Sequence, residues 1–190
     1  MFLIARPSES VIDSFISCQR AYSFSYREVG STTQSLPPNY TVDRNQVVLG
    51  SGSETFHAAS ELLRSWQMFK LGWVDVFPRG APIKTGETVA VLVRHFGFWS
   101  LNACRIVYVV ENERSFGFAY GTLPDHAEQG EERFLIDWSA QDDSVRYNIL
   151  AFSRPKKPAA QVMRPLSRSL QRKFARDSLA AMKRGLRDDV

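Results

Sequence analysis

The residues best suited to chemistry lie between positions 115 and 134, in the run SFGFAYGTLPDHAEQGEERF. Its second half carries His126 and the carboxylates Glu128, Glu131 and Glu132 within seven positions. An imidazole beside carboxylates can act as an acid–base set when burial and neighbouring charges separate the pKa values. The candidate catalytic pair is His126 with Glu131, and the alternative is a solvated acidic loop. The spacing H-x-E-x-x-E-E matches no known metal-ligand pattern, so we predict neither a metal site nor a cofactor.

The first half of this run predicts a strand with two unlike faces. Aromatic and hydroxyl side chains alternate with residues that have almost no side chain: Phe116, Phe118, Tyr120 and Thr122 against Gly117, Ala119 and Gly121. Two glycines weaken a strand unless another group approaches its backbone closely. The aromatic face, the bare face and the ionisable loop together indicate the mouth of a binding pocket. We expect Phe118, Tyr120 and Thr122, together with His126 and Glu131, to contact a ligand there.

Two residues elsewhere are further candidates for this pocket. Arg105 shares one face of its predicted strand with Leu101 and Ala103, and a charged side chain on an apolar face needs a partner. That partner could be a ligand carboxylate or a loop glutamate, unless the face bearing Arg105 is the solvated one. Trp73 could line the pocket or pack in the core. The hydroxyl of Tyr120 has the same two alternatives, a ligand or a protein partner.

Hydrophobic periodicity predicts the elements that position these residues. Five consecutive strands with short links favour an antiparallel meander: Thr88–His95, Trp99–Glu111, Arg114–Leu123, Glu132–Ser139 and Ser144–Ser153. Shorter extended segments at 40–49 and 73–77 bring the sheet to about six to seven strands. Helical spacing predicts three helices: one opened by Pro7 and Ser8 and ending near Cys18, one capped by Ser53 and ending near Leu71, and one from about Ala159 to Leu186. This order is an α+β fold in which a curved sheet wraps around the last helix.

The bulk composition narrows the class of protein. No apolar run approaches the length of a membrane span, and the start lacks the basic region of a signal peptide, so we expect a soluble, cytoplasmic protein. Two cysteines make no disulfide framework, and Cys104 is expected to be a buried thiol.

Positive charge is concentrated at the C-terminus. From Arg154 onward there are eleven Lys or Arg residues and three Asp or Glu residues. Four arginines recur at intervals of four on the last helix: Arg164, Arg168, Arg172 and Arg176. This row is a solvated helix face or a contact surface for an anionic membrane. Nucleic acid is not an expected partner because no nucleic-acid-binding motif accompanies the row.

Several segments carry a resemblance to a known family. They are Gly50-Ser51-Gly52, Gly72-Trp73-Val74, Cys104 to Tyr108, Phe116 to Pro124 with His126, Glu128 and Gly130-Glu131-Glu132, and Phe152 to Pro155. On these residues the chain resembles the DUF1990 (UPF0548) proteins over roughly residues 40 to 185. The resemblance implies the helix-grip, Bet v 1/START-like (SRPBCC) fold and leaves the activity open.

These observations lead to one principal functional hypothesis and two alternatives. We expect a single domain spanning 1–190, with 1–40 as an N-terminal extension, that binds a small hydrophobic or amphipathic molecule between the sheet and the last helix. Arg105, Tyr120 and His126 would supply polar specificity. The alternatives are a cyclase- or hydrolase-type enzyme that uses His126 and Glu131, and a membrane-surface or protein-interaction module that uses the basic helix.

Overall fold

The computed structural model describes residues 1–156 and 164–188, with side chains described for 1–156 and 167–187. In chain order the elements are β1 (Phe2–Leu3), α1 (Glu9–Gln19), β2 (Thr41–Ser51), α2 (Gly52–Arg64), β3 (Val74–Phe77), β4 (Thr88–Arg94), β5 (Trp99–Asn112), β6 (Ser115–Thr122), β7 (Glu128–Trp138), β8 (Ser144–Pro155) and α3 (Arg164–Asp188). Short 3-10 helices occupy Ser31–Thr33 and Gln67–Phe69. No helix in these ranges is both long and apolar enough to cross a membrane.

All eight strands belong to one antiparallel sheet. Its order is β2-β8-β7-β6-β5-β4-β3, and the short β1 pairs with β5. The predicted α+β class, with a curved antiparallel sheet and a long C-terminal helix, is confirmed. Register shifts at Val48/Gly50 and at Ile106/Tyr108 insert bulges into β2 and β5. Bulges of this kind bend a strand and increase its twist, so they contribute to the curvature of the sheet.

The inner face of the sheet, defined as the face toward α2 and α3, carries the larger hydrophobic core. Phe118 and Phe134 from neighbouring strands pack on it with Phe69 and Trp66 from the segment after α2. Helix α3 contributes Ala175 and Met182 to this core, among other residues. The second half of α3 is thus fixed by apolar contacts.

The outer face is covered by the N-terminal residues. Helix α1, with Ser8 as its N-cap as expected, places Ile12 and Ile16 against Leu92 and Leu101 of the sheet. Residues 20–40 continue across the outer face of β6, β7 and β8, where Tyr26 contacts Glu131 and Phe152. The ring of Tyr26 lies directly over the backbone of Gly121, where an added Cβ would collide with it. The bare face of β6 thus admits a protein side chain.

Helix α2 differs from the sequence prediction at both ends. It begins at Gly52 with Ser51 as its N-cap, so the prediction of Ser53 as the cap is wrong. It ends at Arg64 instead of continuing to Leu71. Trp66 adopts a left-handed backbone (φ 58°), its side chain is buried, and its Nε1 donates a hydrogen bond to the carbonyl of Ala81 at 2.8 Å. Burial of this indole outweighs the cost of the backbone conformation and ends the helix.

Candidate functional site

A large cavity lies between the inner face of the sheet and α3. Its volume is about 1060 Å³, at the upper end of the roughly 300–1,000 Å³ typical of small-molecule sites. Much of its wall is apolar, with contributions from Phe69, Val74, Val91, Val93, Ile149, Phe174 and Leu179. The cavity is partly open to solvent. An apolar molecule can enter it, and polar groups in its wall determine which one.

The register of the sheet aligns the central polar groups of the wall. Tyr120 on β6 pairs with Glu132 on β7, Glu132 pairs with Ala151 on β8, and Ala151 pairs with Asp43 on β2. Directly paired residues of an antiparallel sheet point to the same side. All four therefore face the cavity and line it. This line of residues across the sheet is called the polar row, although Ala151 within it is apolar.

Glu132 and Tyr120 form the most perturbed titratable pair in this row. The Tyr120 hydroxyl donates to Glu132 Oε2 at 2.8 Å. Burial raises the pKa of the Glu132 carboxyl to about 7; the Tyr120 hydrogen bond opposes this and the negative charge of Asp43 adds to it. Burial, with the charge of Glu132, holds the pKa of Tyr120 well above its ordinary value. Glu132 is thus a carboxyl group that changes charge near neutral pH.

His126 lines the cavity close to its rim. Its Nδ1 lies 3.0 Å from the backbone nitrogen of Glu128 and 3.1 Å from the carbonyl of the same residue. Burial lowers the pKa of His126 to about 4, so the imidazole is neutral at physiological pH. A neutral ring bonded to the main chain orients the start of β7 and can offer one further hydrogen bond to a ligand.

Glu131 belongs to the strand segment that borders the cavity, but its carboxylate points to the outer face, away from His126, with which it was predicted to pair. Its carboxylate accepts hydrogen bonds from the Tyr26 hydroxyl (2.7 Å), the Gly30 backbone N–H (2.7 Å), and both the backbone N–H (3.0 Å) and the hydroxyl (2.5 Å) of Thr32. It is buried on the outer face, beneath the N-terminal segment. The acid–base pair proposed from the sequence is therefore separated by the sheet, because successive residues of β7 point to opposite faces. Glu131 fastens residues 26–32 to the sheet.

Arg105 also lies on the outer face, and it does not line the cavity in which its contact with a ligand was predicted. Its guanidinium donates to the carbonyls of Gln19 (3.1 Å) and Arg20 (3.0 Å) and to the Thr88 hydroxyl (3.2 Å). The last carbonyls of a helix have no partner within the helix, and a cation there is favourable. The partner that Arg105 needs is therefore the C-terminus of α1.

The remaining predicted ligand contacts divide into two groups. Trp73, Tyr120 and Thr122 line the cavity. Trp73 also donates from Nε1 to Asp177 on α3 at 3.1 Å, so it joins the sheet to the helix. Phe118 is fully buried behind Trp66 and Phe134 and does not reach the cavity. In this structure Phe118 is a core residue, although the sequence predicted it as a ligand contact.

The first turns of α3 are held over the cavity by polar contacts. Arg168 forms a two-pronged salt bridge with Asp43, and the Ser167 hydroxyl donates to the Glu128 carboxylate. Arg168 is therefore unavailable to a membrane in this arrangement, whereas Arg172 and Arg176 are exposed. The side chain of Arg164 lies outside the described residues. Contact with an anionic membrane stays a prediction for the two exposed arginines.

Glu132 is the site residue that the sequence analysis did not select. The strand was predicted to start at Glu132, whereas β7 starts at Glu128. With the longer strand, alternation places Glu132 on the same face as the apolar Phe134 and Ile136, and Glu131 on the other. That parity was the available signal. Among the described residues, no group of three or more His, Cys, Asp or Glu side chains is placed to hold a metal ion.

A sheet that curves over a long C-terminal helix and encloses a cavity defines the helix-grip, Bet v 1-like class of proteins. Solved structures support the class. The protein TTHA0849 of Thermus thermophilus aligns with a TM-score of 0.57 at 11% identity, over 78% of this chain and 99% of that one. A point mutant of norcoclaurine synthase from Thalictrum flavum, bound to a transition-state analogue, aligns with a TM-score of 0.52 at 12% identity, over 82% and 100% of the two chains. At these identities the likeness concerns the fold alone.

The chain belongs to the family described as a domain of unknown function, DUF1990, whose model matches residues 25–181. A UPF0548 protein of Dictyostelium discoideum is 36% identical, covering 96% of this chain and 94% of the relative. A UPF0548 protein of Deinococcus radiodurans is 35% identical, with 93% and 94% covered. The resemblance noted in the sequence is thus confirmed.

Proposed function

We propose that this protein binds a small hydrophobic or amphipathic molecule in the cavity between the sheet and α3. The observation that carries the proposal is the cavity itself, with its volume of about 1060 Å³ and its mostly apolar wall. A preformed apolar cavity of this size stabilises a bound molecule by removing apolar surface from water, about 25 cal/mol per Å². The polar row on its wall provides orientation.

The test uses two tryptophan substitutions on adjacent strands. Ala151→Trp places an indole in the cavity, because Ala151 lies in the polar row and lines the wall. Gln46→Trp is the matched control, because Gln46 is exposed on the edge strand β2 and does not line the cavity. Thermal unfolding of both variants establishes that they are folded.

Two measurements decide the outcome. Native mass spectrometry of the freshly purified protein, beside the denatured mass, detects a retained molecule. Titration with the neutral dye Nile red measures saturable binding. We expect wild type and Gln46→Trp to bind with similar Kd and Ala151→Trp to bind at least about tenfold more weakly. Equal binding by the Ala151→Trp variant would place the dye outside the cavity. The absence of both a retained mass and saturable dye binding in wild type would contradict the proposal.

An acid–base enzyme is the second candidate function. The specific observation in its favour is the carboxyl of Glu132, whose pKa of about 7 suits proton transfer at neutral pH. His126 and Glu131 no longer carry this hypothesis, because they lie on opposite faces of the sheet. The discriminating result is chemical change of a retained molecule: wild type converts it, and Glu132→Gln binds it without conversion.

A further inference from the structure

We propose that the ligand carries a protonated amine and that this amine binds the carboxylate of Glu132. The inference rests on the proposed binding function and names the chemical class that the polar row would select. Its starting point is that only one of the two carboxylate oxygens of Glu132 has a hydrogen-bond donor among the described residues. Tyr120 occupies Oε2, and none of the described residues donates a hydrogen bond to Oε1.

Within the part of the chain that the structure describes, the surroundings of Glu132 contain no cation that could complete the pair. The titratable groups that act on it come from four strands and are neutral or acidic: Asp43, Cys104, Tyr120 and Tyr147. On the facing helix, Arg168 is already bound to Asp43 through both of its terminal nitrogens. Glu132 is partly buried, and a carboxylate that has lost part of its hydration without gaining a counter-charge is destabilised; a ligand cation at its free oxygen offsets that cost.

The other carboxylates of the cavity wall have partners of their own. Asp43 is paired with Arg168, and Glu128 accepts from Ser167. Asp125 accepts from Gln19, and Glu131 accepts from donors on the outer face. Exposed basic side chains lie at the rim, on α3 and at the end of β8: Lys156, Arg172, Arg176 and Lys183. Glu132 is therefore the carboxylate of the wall whose charge no described residue offsets, and the basic side chains at the edge are exposed and screened by water and salt. An ammonium group bound at Glu132 meets favourable charge there, whereas a carboxylate head would be repelled.

A chain of aromatic rings that begins at Tyr120, the hydrogen-bond partner of Glu132, favours the same group. Phe69, Tyr120 and Phe174 line the cavity together, with ring centroids 6.2 Å apart for Phe69–Tyr120 and 5.1 Å apart for Phe69–Phe174. A cation that lies over an aromatic face is attracted by the negative face of the ring, and the attraction is stronger when the cation is desolvated. A carboxylate and aromatic rings that line the same cavity are the two components of an ammonium-binding site, and the apolar remainder of the cavity accommodates a hydrocarbon or aromatic body.

The experiment compares three probes that differ only in the head group: phenylbutylamine, phenylbutanol and phenylbutanoate. Their Kd values are measured by calorimetry for wild type, Glu132→Gln and Glu131→Gln. Glu131→Gln is the matched control, since it alters the neighbouring carboxylate on the outer face, and urea unfolding first establishes that it is folded under the conditions of the titration. We expect wild type to prefer the amine over the alcohol by about 10- to 100-fold, the strength of a charge-assisted hydrogen bond. Glu132→Gln should lose this preference and keep its affinity for the alcohol, while Glu131→Gln should keep both.

The pH dependence gives a second readout. Ammonium binding requires the carboxylate form of Glu132, so amine affinity should rise about tenfold between pH 6 and pH 8 in wild type and stay constant in Glu132→Gln. His126 is neutral throughout this range. Equal binding of amine and alcohol by wild type, or an amine preference that survives Glu132→Gln, overturns the amine assignment and leaves the cavity function intact. Failure of all three probes to bind contradicts the cavity function and the inference together.

Discussion

Replacing Glu132 with glutamine should change how the stability of the protein depends on pH. The pKa of this carboxyl is raised from 4.5 to about 7 in the folded protein. Between these values the folded state binds the proton more tightly than the unfolded chain, so the stabilisation is fully present below about pH 4.5 and is lost as the pH rises through 7. In wild type this single group should lower the free energy of unfolding by about 2.5 kcal/mol between pH 5 and pH 8. Glutamine does not titrate and removes that contribution.

The assay is urea unfolding of wild type and Glu132→Gln at pH 5 and pH 8. Other titrating groups, including His126 with its lowered pKa, contribute equally to both proteins. Subtracting the two curves therefore isolates Glu132, and the variant should gain about 2.5 kcal/mol relative to wild type on going from pH 5 to pH 8. Glu113→Gln, in an exposed turn, is the control and should show no such gain. A difference that is the same at both pH values would refute the assignment of a buried, proton-binding carboxyl in the cavity.

Two further predictions concern the outer face and the basic helix. Glu131→Gln should lower the free energy of unfolding by about 2–4 kcal/mol, because a buried carboxylate with four donors becomes an amide that cannot accept from all of them. Urea unfolding measures this change, and a loss below about 0.5 kcal/mol would contradict the prediction. Replacing Arg172 and Arg176 together with Gln should reduce sedimentation with phosphatidylserine vesicles and its salt dependence if the exposed part of the row contacts membranes. Unchanged sedimentation would exclude these two arginines from any such contact.

The sequence specified most of the fold because its signals were local. Alternation and short links identified the five strands from Thr88 onward, and the structure pairs each with the next. The end of α2 was less accessible. Phe69 continues the helical spacing begun at Phe56, but the tertiary contacts of the Trp66 indole end the helix after Arg64. Periodicity reports which side chains are apolar and carries no information on where a buried ring finds its hydrogen-bond partner.

The site was harder to predict because it depends on which face of the sheet is covered by which segment. Arg105 was placed correctly on an apolar face, and that face proved to be the one under α1. No pattern within β5 distinguishes an apolar face that packs on a helix from one that lines a cavity. Residues 1–40 determine which face of β5 is covered, because they pack against one face of the sheet, and that packing depends on contacts between distant parts of the chain.

The contrast between Glu131 and Glu132 shows how one strand assigns two neighbouring carboxylates to different tasks. On the outer face, the N-terminal segment brings four hydrogen-bond donors to Glu131. The Glu131 carboxylate therefore binds that segment and has no role in the cavity. On the inner face, Glu132 receives one hydrogen bond, from Tyr120, and otherwise borders a cavity of about 1060 Å³. Glu131 is buried with both of its oxygens bonded, whereas Glu132 is partly buried and keeps an oxygen without a partner among the described residues. A carboxylate with a free oxygen at the wall of a cavity can form a favourable ion pair with a cationic ligand. Glu132 is therefore the residue to test first.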